Sequence, residues 1–114
     1  MNIYRYTTAG GKDVIDTYIK SLPKKVQYEY NSILELLEEE GMDAFQVLDT
    51  KLFQGQIREI RFDQQRLFYV IQDGDNLYIL HACKKEKNKT EKGDKCIAIN
   101  RAKELGKELG RKFV

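Results

Sequence analysis

Three strand-like runs joined by short turns, all within residues 51–90, constrain the fold of this chain more than any other feature. The runs cover residues 56–62, 66–72 and 76–83, and they are rich in Ile, Leu, Phe, Tyr and Val. These residue types favour a pleated, half-buried surface. Residues 63–65 and 73–75 separate the runs, and links this short join antiparallel neighbours. The sequence therefore predicts an antiparallel sheet at the centre of the fold.

The rest of the chain carries helical patterns that are expected to cover this sheet. Residues 13–22 form one apolar stripe, and a second stripe starts near Pro23, a residue tolerated in a first helical turn, and ends near Gly41. A third stripe runs through residues 98–109, where Gly106 and Gly110 weaken the far end. Because two helices cannot bury both their stripes alone, they should pack on the sheet. We expect an α+β fold in which an N-terminal helical hairpin packs on a small antiparallel sheet, with a C-terminal helix, in one domain spanning residues 1–114.

Charge is distributed unevenly along the chain. The formal net charge is +2, but residues 1–83 carry −4 and residues 84–114 carry +6. A basic C-terminal third indicates a polyanionic partner or an acidic partner protein, and a solvated helix face rich in lysine is the alternative. No apolar run is long enough to span a bilayer, and Tyr4, Arg5 and Tyr6 interrupt the N-terminus too early for a secretory signal. We therefore expect a cytoplasmic protein that does not enter a membrane.

Several kinds of catalytic and metal site have no support in the sequence. There is no glycine-rich phosphate-binding loop, and His81 is the single histidine, so neither a nucleotide site nor a histidine-based metal cluster is expected. Cys83 and Cys96 are too few and too isolated for a metal cage or a disulfide framework, and we expect both to be reduced packing residues. His81 lies late in an apolar strand, where a packing or supporting role is favoured over catalysis. We predict no cofactor and no metal.

A set of cationic side chains around the predicted sheet is the main functional signal. Arg61 and Arg66 flank the turn at residues 63–65, so both should emerge near one end of the sheet. Arginine binds phosphate through a planar fork and lysine through a mobile point charge. Glu59 shares a strand face with Arg61, so an ion pair between them is the alternative to phosphate binding. The full set is Lys51, Arg58, Arg61, Arg66, Lys84, Lys85, Lys87 and Lys89, with Thr90 beside it.

These residues, taken in order, resemble a known family. Lys51-Leu52, Gly55 and Glu59-Ile60-Arg61 are followed by Arg66-Leu67-Phe68-Tyr69, then His81, Lys84-Lys85 and Lys89-Thr90, and a helix with Ala98 and Ala102. This order is similar to the phage-derived, toxin-like branch of the RelE/HigB superfamily over about residues 1–110. The resemblance implies the toxin of a type II toxin-antitoxin system, an mRNA interferase that cleaves mRNA in the ribosomal A site without a metal. It also implies neutralisation by a cognate helix-turn-helix antitoxin.

The resemblance also implies roles for individual residues. Arg61 matches the strand arginine with which the family stabilises the phosphate, and Arg66 matches the family's next strand arginine. Lys84 and Lys85 match the basic end of the last strand, where the superfamily places cleavage and RNA-contact residues. These four are the candidate catalytic residues. The candidate RNA-binding residues are Lys51, Arg58, Lys87, Lys89 and Thr90. The chain departs from the pattern at Cys83, where an aromatic residue is usual, and after Thr90, where the acid-base residue of the family has no counterpart.

A second hypothesis from another functional class stays open. The chain would then be a non-catalytic binding module, either a ParE-like inhibitor of a macromolecule or a degenerate phage protein that only binds its partner. The missing general acid favours this second hypothesis. The paired arginines and the basic loop favour an endoribonuclease, because RNA cleavage depends on stabilising charge at the phosphate and can borrow the remaining geometry from a large RNA scaffold.

Overall fold

A computed structural model describes residues 1–85 and 92–114. The chain begins with strand β1 (Asn2–Arg5), followed by helices α1 (Val14–Lys20) and α2 (Lys24–Glu40) and a 3₁₀ helix (Gly41–Gln46). Four further strands follow: β2 (Thr50–Gln54), β3 (Ile57–Phe62), β4 (Gln65–Gln72) and β5 (Asn76–Lys84). The last element described is helix α3 (Lys92–Leu109).

The strands form one five-stranded mixed sheet in the order β1-β5-β4-β3-β2. Strand β1 is parallel to β5, and the other neighbours are antiparallel. The three predicted strand runs are confirmed as β3, β4 and β5. The expected architecture, a helical hairpin on a small antiparallel sheet, is wrong. Helices α1 and α2 instead carry the chain across one face, from β1 at one edge to β2 at the other.

The sheet separates two apolar clusters. On the α1/α2 face, residues of both helices pack on inward residues of the strands, including Ile60, Leu67, Tyr69 and Ile79. On the α3 face, Ala98 and Ala102 of α3 pack on Ile57, Phe68, Val70 and Leu80. Strand β4 lies in the middle, and its residues 65–70 are all buried. This strand is therefore covered on both faces of the sheet, as its continuous apolar run at residues 67–71 would lead one to expect.

The β3–β4 turn fixes one end of the sheet. Asp63 and Gln64 both have positive φ, at 42° and 66°. The tight hairpin turn whose twist matches the flanking strands requires positive φ at both of its central residues. The turn sets Phe62 opposite Gln65 and Arg61 opposite Arg66. Within the described residues, every helix is too short or too polar to cross a lipid bilayer.

Candidate nucleic-acid interface

Strand alternation directs Arg61 and Arg66 to the same face of the sheet. Ile57 belongs to the α3-face cluster, so Glu59 and Arg61, at two-residue steps along β3, point to that face as well. Arg66 lies directly opposite Arg61 in the β3–β4 ladder and therefore shares this orientation. The predicted emergence of both arginines near one sheet end is consistent with this register.

Glu59 draws the two guanidinium groups together. Arg61 Nε donates to Glu59 Oε1 at 2.6 Å, and Arg66 Nη1 lies 3.8 Å from Glu59 Oε2. Glu59 and Arg66 are each only 3% exposed, whereas the Arg61 side chain is 25% exposed. The Glu59–Arg61 pair, left open as an alternative by the sequence, is therefore present. One carboxylate faces two guanidiniums, so the cluster keeps an excess of positive charge.

A polar pocket opens beside this cluster at the β3–β4 turn. Its volume is about 260 Å³. Arg61 and Lys85 line it, together with Asp49, Asp63, Gln64 and Gln65. The Lys85 backbone N–H donates to the Gln64 carbonyl at 2.6 Å, which ties the end of β5 to the turn. Arg61 is thus the residue that belongs both to the buried ion pair and to the open pocket.

The remaining predicted cations are divided between the two faces. Lys51 is exposed and lies opposite Glu59 on the α3 face. Lys84 pairs with Gln65, and the Gln65 side chain accepts a hydrogen bond from Tyr18 of α1, so Lys84 lies on the α1/α2 face. Arg58 also lies on that face, by alternation with Ile60. Lys87, Lys89 and Thr90 lie outside the described residues.

The structure adds three polar residues that sequence reasoning did not assemble. His81 Nε2 lies 2.7 Å from Asp94 Oδ1, and His81 Nδ1 lies 3.5 Å from Arg101 Nη1. Burial lowers the pKa of His81 despite the hydrogen bond to Asp94, so the neutral ring is favoured. In the tautomer that satisfies both contacts, Nε2–H donates to Asp94 and Nδ1 accepts from Arg101. His81 therefore fastens α3 to β5, which agrees with the favoured supporting role.

Cys83 completes this cluster on the α3 face. Burial raises the pKa of its thiol to about 12, so the thiol is protonated and unreactive as a nucleophile at neutral pH. Donor atoms of His81, Cys83 and Asp94 all lie within 4.8 Å of one another, a spacing that a metal ion requires. The positive guanidinium of Arg66 lies near Cys83, and that of Arg101 lies near His81. Their charge disfavours a bound cation at this cluster. No pattern in the sequence links Asp94 to His81, because only the packing of α3 on the sheet brings these two residues together.

Comparison with known proteins gives one result at the family level. No curated protein matches the chain. A family model described as phage derived protein Gp49-like (DUF891) matches residues 17–103, which include α2, all of β2 to β5 and most of α3. The match covers well over half of the 114 residues. The chain belongs to the phage-derived Gp49-like family.

Proposed function

We propose that this protein is the toxin of a type II toxin-antitoxin system and acts as a metal-independent, ribosome-dependent mRNA endoribonuclease. One observation carries the proposal: Arg61 and Arg66 both contact Glu59, and Lys85 lines the adjoining pocket together with Arg61. Membership of a phage-derived family agrees with this proposal. The resemblance to RelE/HigB toxins supplies the reaction class.

The positive charge of this cluster suits the transition state of phosphodiester cleavage. In RNA cleavage the 2′-hydroxyl loses its proton and its oxygen attacks the adjacent phosphorus, while the bond to the 5′-oxygen breaks and that oxygen takes up a proton. Negative charge builds on the non-bridging oxygens in the transition state. Arg61 is fixed through Nε and lines the pocket, so its terminal nitrogens are the groups that bind those oxygens. Lys85 supplies a second positive charge to the same pocket. Arg66 is buried and acts as a positioning residue that holds Glu59.

The surrounding cations are assigned to binding. Lys51 lies on the same face as Arg61 and is exposed, so it extends the positive surface toward the RNA backbone. Lys87, Lys89 and Thr90 remain proposed RNA contacts on sequence grounds. The proposed partners are mRNA in the ribosomal A site and a helix-turn-helix antitoxin, and the proposed compartment is the cytoplasm. The ribosome would align the 2′-oxygen with the phosphate, which relieves the toxin of that task.

A second candidate function has its own support. Both ring nitrogens of His81 are engaged, and the Cys83 thiol is protonated, so neither is poised for proton transfer. A non-catalytic, ParE-like or degenerate phage protein that blocks a macromolecule needs only the cationic surface. The two candidates differ in whether mRNA is cut.

Induced expression in a bacterial host distinguishes them. If the protein is an endoribonuclease, we expect growth arrest together with new mRNA 5′ ends inside codons. Mapping of 5′ ends across the transcriptome measures this. The cuts should disappear from transcripts that are not translated, since cleavage depends on the ribosome. Growth arrest with intact transcripts would reject the nuclease and leave the binding protein.

A further inference from the structure

A groove at the β1 edge of the sheet, which shares no lining residue with the Arg61 pocket, has the chemistry of a cation site. It lies between β1 and α3, has a volume of about 210 Å³, and is lined by Tyr4, Tyr6, Tyr78, Glu104, Leu105 and Glu108, among others. Tyr4 lies opposite Tyr78 in the β1–β5 ladder, and their rings stack with centroids 4.9 Å apart and planes 19° from parallel. Tyr4 is 45% exposed, so an aromatic surface faces solvent beside two carboxylates.

Beside the same groove, a tyrosine ring with a carboxylate next to it already holds a guanidinium of the protein itself. The Arg101 guanidinium lies over the Tyr6 ring at 4.2 Å from the centroid, and Tyr6 Oη donates to Glu104 at 3.0 Å. A guanidinium is thus held by a tyrosine face with a carboxylate beside it. Two residues back along β1 stands Tyr4, and one turn further along α3 stands Glu108.

This second position lacks the cation that the first one has. Among residues 1–85 and 92–114, Glu108 forms no salt bridge. Arg5 also lines the groove, but its Nε donates to Asp13 at 2.7 Å. The groove therefore repeats a guanidinium-binding arrangement and leaves its second half open to solvent.

We infer that the Tyr4–Tyr78 stack and Glu108 form a binding site for an arginine side chain presented by a partner protein. The flat guanidinium stacks on the exposed Tyr4 ring, as Arg101 does on Tyr6, and in addition pairs with the Glu108 carboxylate. A stacked nucleobase is disfavoured, because Glu104 and Glu108 repel the phosphates that accompany it. The site is independent of the Arg61 pocket, so it does not rest on the proposed nuclease activity.

Nuclear magnetic resonance titration of the full chain tests this inference. The probes are N-acetyl-arginine methylamide, the matching lysine compound, and adenosine monophosphate. The arginine compound should shift the resonances of Tyr4, Tyr78 and Glu108 saturably, and it should bind more tightly than the lysine compound. Glu108→Gln should weaken that binding about two- to fivefold, the size typical of one exposed cation–π or ion-pair contact.

Two further comparisons make the test decisive. Tyr4→Ala should remove the shifts, whereas Tyr28→Ala, which removes an exposed tyrosine of α2 that is 68% exposed, should leave them unchanged. If Tyr4→Ala unfolds the chain, the conservative Glu108→Gln variant still reports on the site. The inference is overturned by an absence of shifts in the groove, by equal binding of the lysine compound, or by tighter binding of adenosine monophosphate.

Discussion

Arg61 lies directly opposite Arg66 across the β3–β4 ladder, on the same face of the sheet. Two like charges at this spacing repel each other, and the buried carboxylate of Glu59 between them offsets the repulsion. Arg61 makes this contact through its Nε atom, so the terminal nitrogens of its guanidinium remain available to a ligand. The ion pair and the phosphate role are therefore compatible in one side chain.

Replacing Arg61 tests whether those terminal nitrogens act on RNA. Arg61→Ala should abolish growth arrest and reduce mRNA cleavage by at least about a hundredfold, the usual cost of removing one transition-state donor. Arg58→Ala is the matched control, because Arg58 belongs to the same strand but faces α1 and α2. Toxicity and 5′-end mapping are the measurements, with circular dichroism to establish folding. A folded Arg61→Ala protein that still arrests growth would exclude the proposed role.

Removing Glu59 should be costly for stability. Glu59→Leu leaves the guanidinium of Arg66, whose side chain is 4% exposed, without its carboxylate, and breaking a buried pair in this way costs about 3–5 kcal/mol. Urea unfolding at neutral pH measures the loss. The double variant Glu59→Leu/Arg66→Met removes both buried charges and should recover most of it. Equal stability of the single variant and the native chain would show that Glu59 does not hold Arg66.

The three central strands could be predicted from the sequence, whereas the parallel pairing of β1 with β5 could not. Strands β3, β4 and β5 were predictable because each contains strand-forming apolar residues and is bounded by turn residues. Strand β1 has only four residues, and its parallel partner β5 is more than seventy residues away, so no local pattern identifies the pairing. The expected small antiparallel sheet was wrong for this reason.

The candidate site was predictable to a similar extent. The hairpin turn at residues 63–65 was enough to bring Arg61 and Arg66 to one end, since strand periodicity then sets their face. Strand β5 ends at Lys84, and of the two lysines only Lys85 lines the pocket, a difference that treating Lys84 and Lys85 as one basic pair overlooks. The contact of His81 with Asp94 depends on how α3 crosses the sheet, which its sequence does not encode locally.

Lys85 and Lys84 provide a matched test of RNA binding. Lys85 lines the Arg61 pocket and Lys84 does not, although the two are adjacent in sequence. Lys85→Ala should make the negative slope of log binding constant against log salt less steep by about 0.7, the value for one lost contact to single-stranded RNA. Lys84→Ala should leave the slope unchanged. Fluorescence anisotropy with a labelled oligoribonucleotide gives both slopes, and identical slopes for the two variants would remove Lys85 from the interface.

The buried His81 should make folding sensitive to mild acid. Its folded pKa lies below the ordinary value of 6.5, so the unfolded chain binds a proton first as pH falls. The stabilisation is complete above about pH 6.5 and is lost progressively below it, because burial disfavours the charged ring and protonated Nδ1 would also face Arg101. Urea unfolding between about pH 7 and pH 5 should show this loss in the native chain and a flatter profile in His81→Gln. A native chain that gains stability on acidification would contradict the neutral-ring assignment.

Gly106 provides a test in which helix propensity and packing predict opposite results. In an ordinary helix interior, Gly→Ala stabilises by up to about 1 kcal/mol. At Gly106, however, an added Cβ would overlap the Arg111 carbonyl, and the Gly106 carbonyl accepts a hydrogen bond from the Arg111 N–H at 2.8 Å. Gly106→Ala should therefore lower the free energy of unfolding by about 1–3 kcal/mol, the cost of overpacking a close contact. Gly93→Ala is the control, since no described atom lies within 4 Å of its added Cβ, and it should be neutral or stabilising in the same urea titration. A stabilised Gly106→Ala protein would show that the chain after α3 does not return against the helix as described.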